Sequence, residues 1–90
     1  MKKYAVEYSE KAKKQISKLD RPTGELIKSW IEKNLIGTDD PRRHGRSLTG
    51  PKNMYWRYRV GDYRIIADIR DDELVIVTVS IDHRKQMYRR

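Results

Sequence analysis

Apolar positions recur along this chain with two different spacings, and the change from one to the other divides it. Tyr4, Val6 and Tyr8 alternate with Ala5 and Glu7, the period of a short strand over Lys3 to Tyr8. Ser9 then stands where a helix N-cap is wanted. Ala12, Ile16 and Leu19 follow at i, i+4 and i+7, one stripe of a helix whose other faces carry Lys11, Lys13, Lys14 and Lys18. Asp20 predicts a second N-cap, with Pro22 in the first turn, where its missing N–H removes no hydrogen bond. Ile27, Ile31 and Leu35 form the core stripe of that helix, flanked by Leu26 and Trp30. Glu25, Lys28 and Glu32 take the wet side with supportive spacing. Gly37 ends the helix. The two helices read as an antiparallel hairpin that serves as scaffold.

From Met54 the period falls to two. Met54 to Val60 alternates, Gly61-Asp62 is a two-residue turn, and Tyr63 to Ile69 alternates again. After a break at Arg70 to Glu73, Leu74 to Ile81 is β-branched almost throughout. A strand apolar on both faces predicts an interior place in the sheet, here beside the N-terminal strand. The expected fold is α+β in the order β-α-α-β-β-β, with the helical hairpin packed on one face of a curved, mainly antiparallel four-stranded sheet. Between the two halves, Gly37 to Asn53 reads as a long loop with little to bury, the kind of segment where function concentrates. With no repeat and no linker, residues 1–90 read as one domain.

Composition narrows the function classes. The chain has no Cys, which removes disulfides, thiolate nucleophiles and thiolate zinc sites together, and only His44 and His83 as imidazoles, so neither a metal nor a cofactor is expected. No apolar run has the length of a membrane span, and Met1-Lys2-Lys3-Tyr4 leads into charge, so a cytoplasmic protein without a membrane partner is expected. The formal charge of +8 is local. Pro41 to Gly61 holds six basic residues and no acid, and His83 to Arg90 holds four more and no acid. A single-sign field of this kind fits a polyanion partner; the other use of such charge, solubility, is met as well by mixed signs spread over the surface. Arg42, Arg43, His44, Arg46, Lys52, Tyr55, Lys85, Arg89 and Arg90 are the expected nucleic-acid contacts.

The Gly61-Asp62 turn also predicts a register. Val60 faces Tyr63, Arg59 faces Arg64, Tyr58 faces Ile65 and Arg57 faces Ile66. Trp56, Tyr58 and Val60 then share an apolar face with Tyr63, Ile65 and Ala67, which belongs under the helices. The opposite face collects Tyr55, Arg57, Arg59 and Arg64, with Ile66 and Asp68 beyond. Directly opposed like charges destabilise a sheet by up to about 1 kcal/mol, so selection for folding alone would avoid them. Three guanidiniums on a rigid sheet make a phosphate site, each offering a planar fork of donors. The plainer reading is a row of solvated arginines partly neutralised by Asp68. The tail from Asp82 to Tyr88 adds an imidazole at His83, a further guanidinium at Arg84 and a ring at Tyr88 that can stack on a base. Following the last strand, this tail can fold over the mouth of the arginine face.

The run Trp56-Arg57-Tyr58-Arg59-Val60-Gly61-Asp62-Tyr63-Arg64-Ile65-Ile66, followed by His83-Arg84 and Tyr88, resembles the RelE branch of the RelE/ParE toxin superfamily. His44-Gly45-Arg46-Ser47-Leu48-Thr49-Gly50 matches as well, and the likeness covers nearly the whole chain. The resemblance implies an endoribonuclease toxin of a toxin–antitoxin pair, one that enters the ribosomal A site and cuts mRNA without a metal. The ribose 2′-OH would attack the adjacent phosphate. It implies that Arg57 and Arg59 orient and activate the 2′-OH, that Arg64 steadies the pentacoordinate phosphate, that Arg84 assists the leaving oxygen, and that Tyr88 stacks on the nucleotide. It also implies a small RelB-like antitoxin, for which the charge of this chain predicts acidic patches. Some relatives carry lysines where this chain has Arg57 and Arg59, and a glycine is common where Asp82 stands. Arginine is a poor general base but a good charge clamp, so the 2′-OH is activated either by electrostatics and geometry or by proton transfer to His83. Two other readings share these features: a ParE-like gyrase poison on the same fold, and a non-catalytic nucleic-acid-binding module.

Overall fold

The computed structural model describes residues 2–48 and 55–83. Its elements run β1 (Ala5–Tyr8), α1 (Glu10–Ser17), α2 (Arg21–Asn34), β2 (Arg46–Ser47), β3 (Trp56–Val60), β4 (Tyr63–Arg70) and β5 (Val75–His83). The strands form one sheet in the order β1-β5-β4-β3-β2, with β1 parallel to β5 and the other pairs antiparallel. The class is the expected α+β, but the sheet has five strands rather than four. The added strand, β2, lies inside the segment expected to be a loop. Two residues are too few to leave a periodic signal in a sequence.

Local chemistry starts and stops the helices where the sequence says. The Ser9 hydroxyl accepts from the Ala12 amide at 3.0 Å and the Asp20 carboxylate from the Thr23 amide at 3.3 Å, so each helix has its N-cap. After α2 the chain turns at Gly37, whose φ of +79° favours glycine, and its amide donates to the Tyr4 carbonyl at 2.8 Å. That contact ties the end of α2 to the residue before β1.

The core lies between α2 and the sheet. Ile27, Ile31 and Leu35 meet Tyr58 and Val60 of β3, Ile65 and Ala67 of β4, and Ile76 and Ile81 of β5, all buried. Each fully buried aliphatic side chain there contributes roughly 1.5–3 kcal/mol. Leu26, expected to flank the stripe, is instead 55% exposed, while Trp30 packs against the core with its ring 5.5 Å from that of Tyr58. Pro41 is buried too, and its carbonyl accepts from the Tyr58 hydroxyl at 2.7 Å. The segment before β2 therefore has something to bury after all.

The ladder between β4 and β5 is irregular at one place. Ile66 pairs with Ser80, but the next residue, Ala67, pairs with Thr78, so Val79 drops out of the ladder with β4. The bulge is held from α1: the Ser9 hydroxyl donates to the Val79 carbonyl at 2.7 Å, and the Ile81 amide donates to Gln15 Oε1 at 2.7 Å. A one-residue slip exchanges the two faces of a strand. Ile76 and Thr78 point under the helices before the bulge, and Ile81 and His83 do so after it.

Candidate functional site

The predicted hairpin register is the observed one. Val60 pairs with Tyr63, Arg59 with Arg64, Tyr58 with Ile65 and Arg57 with Ile66. Because Tyr58, Val60, Ile65 and Ala67 are buried beneath the helices, alternation sends Arg57, Arg59 and Arg64 to the uncovered face. The edge strand β2 adds a fourth guanidinium, since Arg46 pairs directly with Arg57. The sequence motif contained Arg46, but only the strand pairing shows that it belongs with the other three.

These four arginines and Gly45 line one open concavity of about 360 Å³. Gly45 is required by its wall. Its φ is +82°, and a Cβ there would collide with the Arg57 carbonyl oxygen and stand 2.9 Å from Trp56 Nε1. The same indole N–H donates to the His44 carbonyl at 2.6 Å, clamping the backbone ahead of β2 against β3. Arg46 is thereby presented from a fixed edge rather than from a free loop. Arg57 and Arg64 are half-buried, while Arg46 and Arg59 are exposed. Across β4 and β5, Asp82 faces Arg64 in register and also accepts from Gln15 Nε2 at 3.4 Å. Asp68, which on the plainer reading would partly neutralise the row, pairs with Arg70 at 3.0 Å, farther along β4.

Several expected site residues lie elsewhere. His83 is the last residue of β5, not part of a tail, and it pairs with Tyr63, its ring edge-on at 4.8 Å. With Gln15, Lys18 and Leu19 it lines a hollow on the α1 side of the sheet, so the bulge has turned it away from the arginines. Arg42 makes a two-pronged ion pair with Asp71, both contacts at 3.0 Å, and lies 5.9 Å from the Trp56 ring. The Tyr4 hydroxyl donates to the same carboxylate at 2.7 Å. The Arg42 guanidinium, and after it the Tyr4 hydroxyl, hold the Asp71 carboxyl below the usual carboxylate range. Arg43 pairs with Asp39 at 3.5 Å and Asp40 at 4.0 Å. These acids sit just before the acid-free segment, so the sequence window hid them. The His44 ring packs edge-on to Trp30 at 5.7 Å, and Tyr55 precedes β3 without lining the cleft. Lys52, Arg84, Lys85, Tyr88, Arg89 and Arg90 lie outside the described residues.

A second basic hollow, of about 320 Å³, lies at the C-terminal end of α2, where Lys2, Lys3, Lys33 and Arg43 surround Asp39. Its cations come from the chain start, a helix end and a loop, and one is already ion-paired. The arginine cleft presents all four of its charges from paired strands. Rigid elements hold a binding geometry better than loops do, so the arginine cleft is the better-built of the two basic hollows. Among the described residues, no group of three or more His, Asp or Glu could hold a metal, and no helix is long and apolar enough to cross a membrane.

Comparison with known proteins gives a consistent placement. The family described as the ParE toxin of the type II toxin–antitoxin system, parDE, matches residues 6–88. A solved chain of the RelBE2 toxin–antitoxin complex from Mycobacterium tuberculosis superposes with a TM-score of 0.82 at 24% identity, covering 91% of this chain and 99% of that one. The isolated RelE toxin of E. coli gives a TM-score of 0.70 at 20% identity over 89% of this chain and 83% of that one. A chain of the RelE–RelB complex from Pyrococcus horikoshii gives 0.68 at 21% identity, covering 93% and 97%. A search of curated proteins found no match.

Proposed function

The chain belongs to the ParE toxin family, within the RelE/ParE superfamily, and is the toxin of a type II toxin–antitoxin system; from that premise we propose that it is an endoribonuclease cutting mRNA in the ribosomal A site. The observation that carries the reading is the cleft of four guanidiniums on the open face of the sheet. Arginine–phosphate pairs are charge-assisted and geometrically specific, and a preorganised cluster stabilises charge that develops in a transition state. In this reading the ribose 2′-oxygen gives up its proton and bonds to phosphorus, the bond to the 5′-oxygen breaks, and that oxygen takes a proton. The products are a 2′,3′-cyclic phosphate and a 5′-hydroxyl end.

Arg57 and Arg59 orient the 2′-OH and lower the cost of its ionisation, and Arg64 steadies the pentacoordinate phosphate. Arg84 assists the leaving oxygen and Tyr88 stacks on the nucleotide. Of the two routes for activating the 2′-OH, the electrostatic one is favoured, because His83 faces α1 and the ring of Tyr63. Its proton then passes to water. Arg46 joins the cage from β2. Arg42 and Arg43 keep their acidic neighbours and stabilise the fold beside the site. The partner that restrains the toxin is a RelB-like antitoxin with acidic patches, and the place of action is the cytoplasm, where message and ribosomes are.

The test adds purified protein to programmed ribosomes and maps new 5′ ends. Wild-type protein should yield 5′-hydroxyl ends within the A-site codon, and Arg64→Ala should lose at least about a hundredfold in rate, the scale of removing one transition-state donor. A folded Arg64→Ala protein that cleaves like wild type would remove the reading. The match to a ParE family favours a second reading, a DNA gyrase poison. Intact message with DNA damage in expressing cells would select it.

A further inference from the structure

We propose that the arginine cleft holds two successive phosphodiesters of single-stranded RNA, one on each of two arginine pairs, rather than one phosphate among four. This rests on the nuclease reading and deepens it by stating how much of the chain the site grips. The sheet register carries the argument. Arg46 and Arg57 are directly opposed across β2 and β3, and Arg59 and Arg64 are directly opposed across β3 and β4. Arg57 and Arg59 sit two residues apart on one face of β3, about 6.7 Å along the strand. The pairs are also offset sideways by one strand spacing of ~4.8 Å, which sets their midpoints about 8 Å apart. Long arginine side chains span the remaining mismatch to the spacing of neighbouring phosphates.

Charge and volume point the same way. A phosphodiester carries one negative charge, fewer than the charges that four guanidiniums bring to one concavity. A cleft of about 360 Å³ is also far larger than one phosphate group. The rigid clamp of Trp56 on the His44 carbonyl, with Gly45 against Arg57, keeps the Arg46–Arg57 pair a separate subsite at the edge. With two guanidiniums in each pair, either pair alone can hold one phosphodiester and the second adds to binding.

Uncleavable 2′-O-methyl oligouridylates with one, two or three phosphodiesters provide the test, read by calorimetry or fluorescence anisotropy. Affinity should rise at least about tenfold from one phosphodiester to two, roughly 1.4 kcal/mol, and much less from two to three. The salt slope should double over the first step, at about 0.7 per phosphate for a single strand. In Arg46→Gln/Arg57→Gln the second phosphodiester should add nothing, while the one-phosphodiester ligand, left with Arg59 and Arg64 alone, should lose only about twofold, the loss of one of two equivalent places. A Lys11→Gln/Lys14→Gln control on the outer face of α1 should keep the step. Equal wild-type affinity for the first two ligands, or an even gain with every added phosphate, overturns the two-subsite arrangement and leaves the nuclease reading standing. A clear step at two phosphodiesters without cleavage on programmed ribosomes would do the opposite: it supports the subsites and removes the nuclease.

Discussion

If the opposed arginines are kept for a ligand, the folded protein should become more stable when they are neutralised. Arg57→Gln/Arg59→Gln removes both like-charge contacts, with Arg46 and with Arg64, and keeps most of each aliphatic stem. Side chains directly opposed on one face bring their charges to about 6 Å, where two unit charges repel by ~0.7 kcal/mol in water. Screening at 0.1 M salt, with a Debye length of about 10 Å, leaves roughly 0.4 kcal/mol for each contact, and 1 M salt leaves ~0.1 kcal/mol. Each contact joins an exposed arginine to a half-buried one on the uncovered face, so the water value is the right starting point rather than a buried one. The double variant should thus gain about 0.8 kcal/mol at 0.1 M salt, a rise of roughly 3–6 °C in Tm for a domain of this size. At 1 M salt most of the gain should vanish. Thermal unfolding followed by circular dichroism at the two salt concentrations measures it. The same variant should no longer arrest growth. A variant less stable than wild type at 0.1 M, or equally stabilised at both, would show that the arginines do not crowd one another, and the argument for a stored anion site would fail.

Other predictions concern the frame around the cleft. Tyr58→Phe removes the buried hydroxyl that bonds the Pro41 carbonyl and should cost about 1–3 kcal/mol, seen as a lower urea midpoint. Burial raises the Tyr58 pKa, so its contribution is complete below the ordinary tyrosine value of about 10 and is lost as pH rises beyond it. The alkaline fall in wild-type stability should therefore be shallower in Tyr58→Phe. Asp71→Asn breaks the pair with Arg42 and the bond from Tyr4; since the pair is about half exposed, a loss near 1 kcal/mol is expected at pH 7. The Asp71 pKa is depressed, so its contribution is present above the ordinary carboxylate value and disappears as pH falls through the folded one. Wild type and Asp71→Asn should converge in acid. Thr78 buries a hydroxyl oxygen that has no hydrogen-bond partner among the described residues, so Thr78→Val should raise stability by about 1 kcal/mol, and a lower Tm would reveal a partner.

The helices, their caps and the β3–β4 hairpin were legible in the sequence because each is set by neighbours along the chain. Ser9 and Asp20 cap through side chains three residues from the amides they bind, and Gly61-Asp62 joins strands only one way. That turn was enough to place Arg57, Arg59 and Arg64 on a common face. What only the tertiary structure decided was non-local. The strand carrying Arg46 exists because the Trp56 indole bonds the His44 carbonyl and Gly45 lies against Arg57. Arg42 is occupied because Asp71, far along the chain, reaches it. Above all, alternation along an unbroken β5 would have sent His83 to the arginine face. The bulge at Val79, held by Ser9 at the N-cap of α1 and by Gln15 within it, reverses the faces four residues before His83. A period-two pattern cannot announce an extra residue whose stabilising bonds come from another element, so the sequence alone could reach the cleft but not remove the histidine from it.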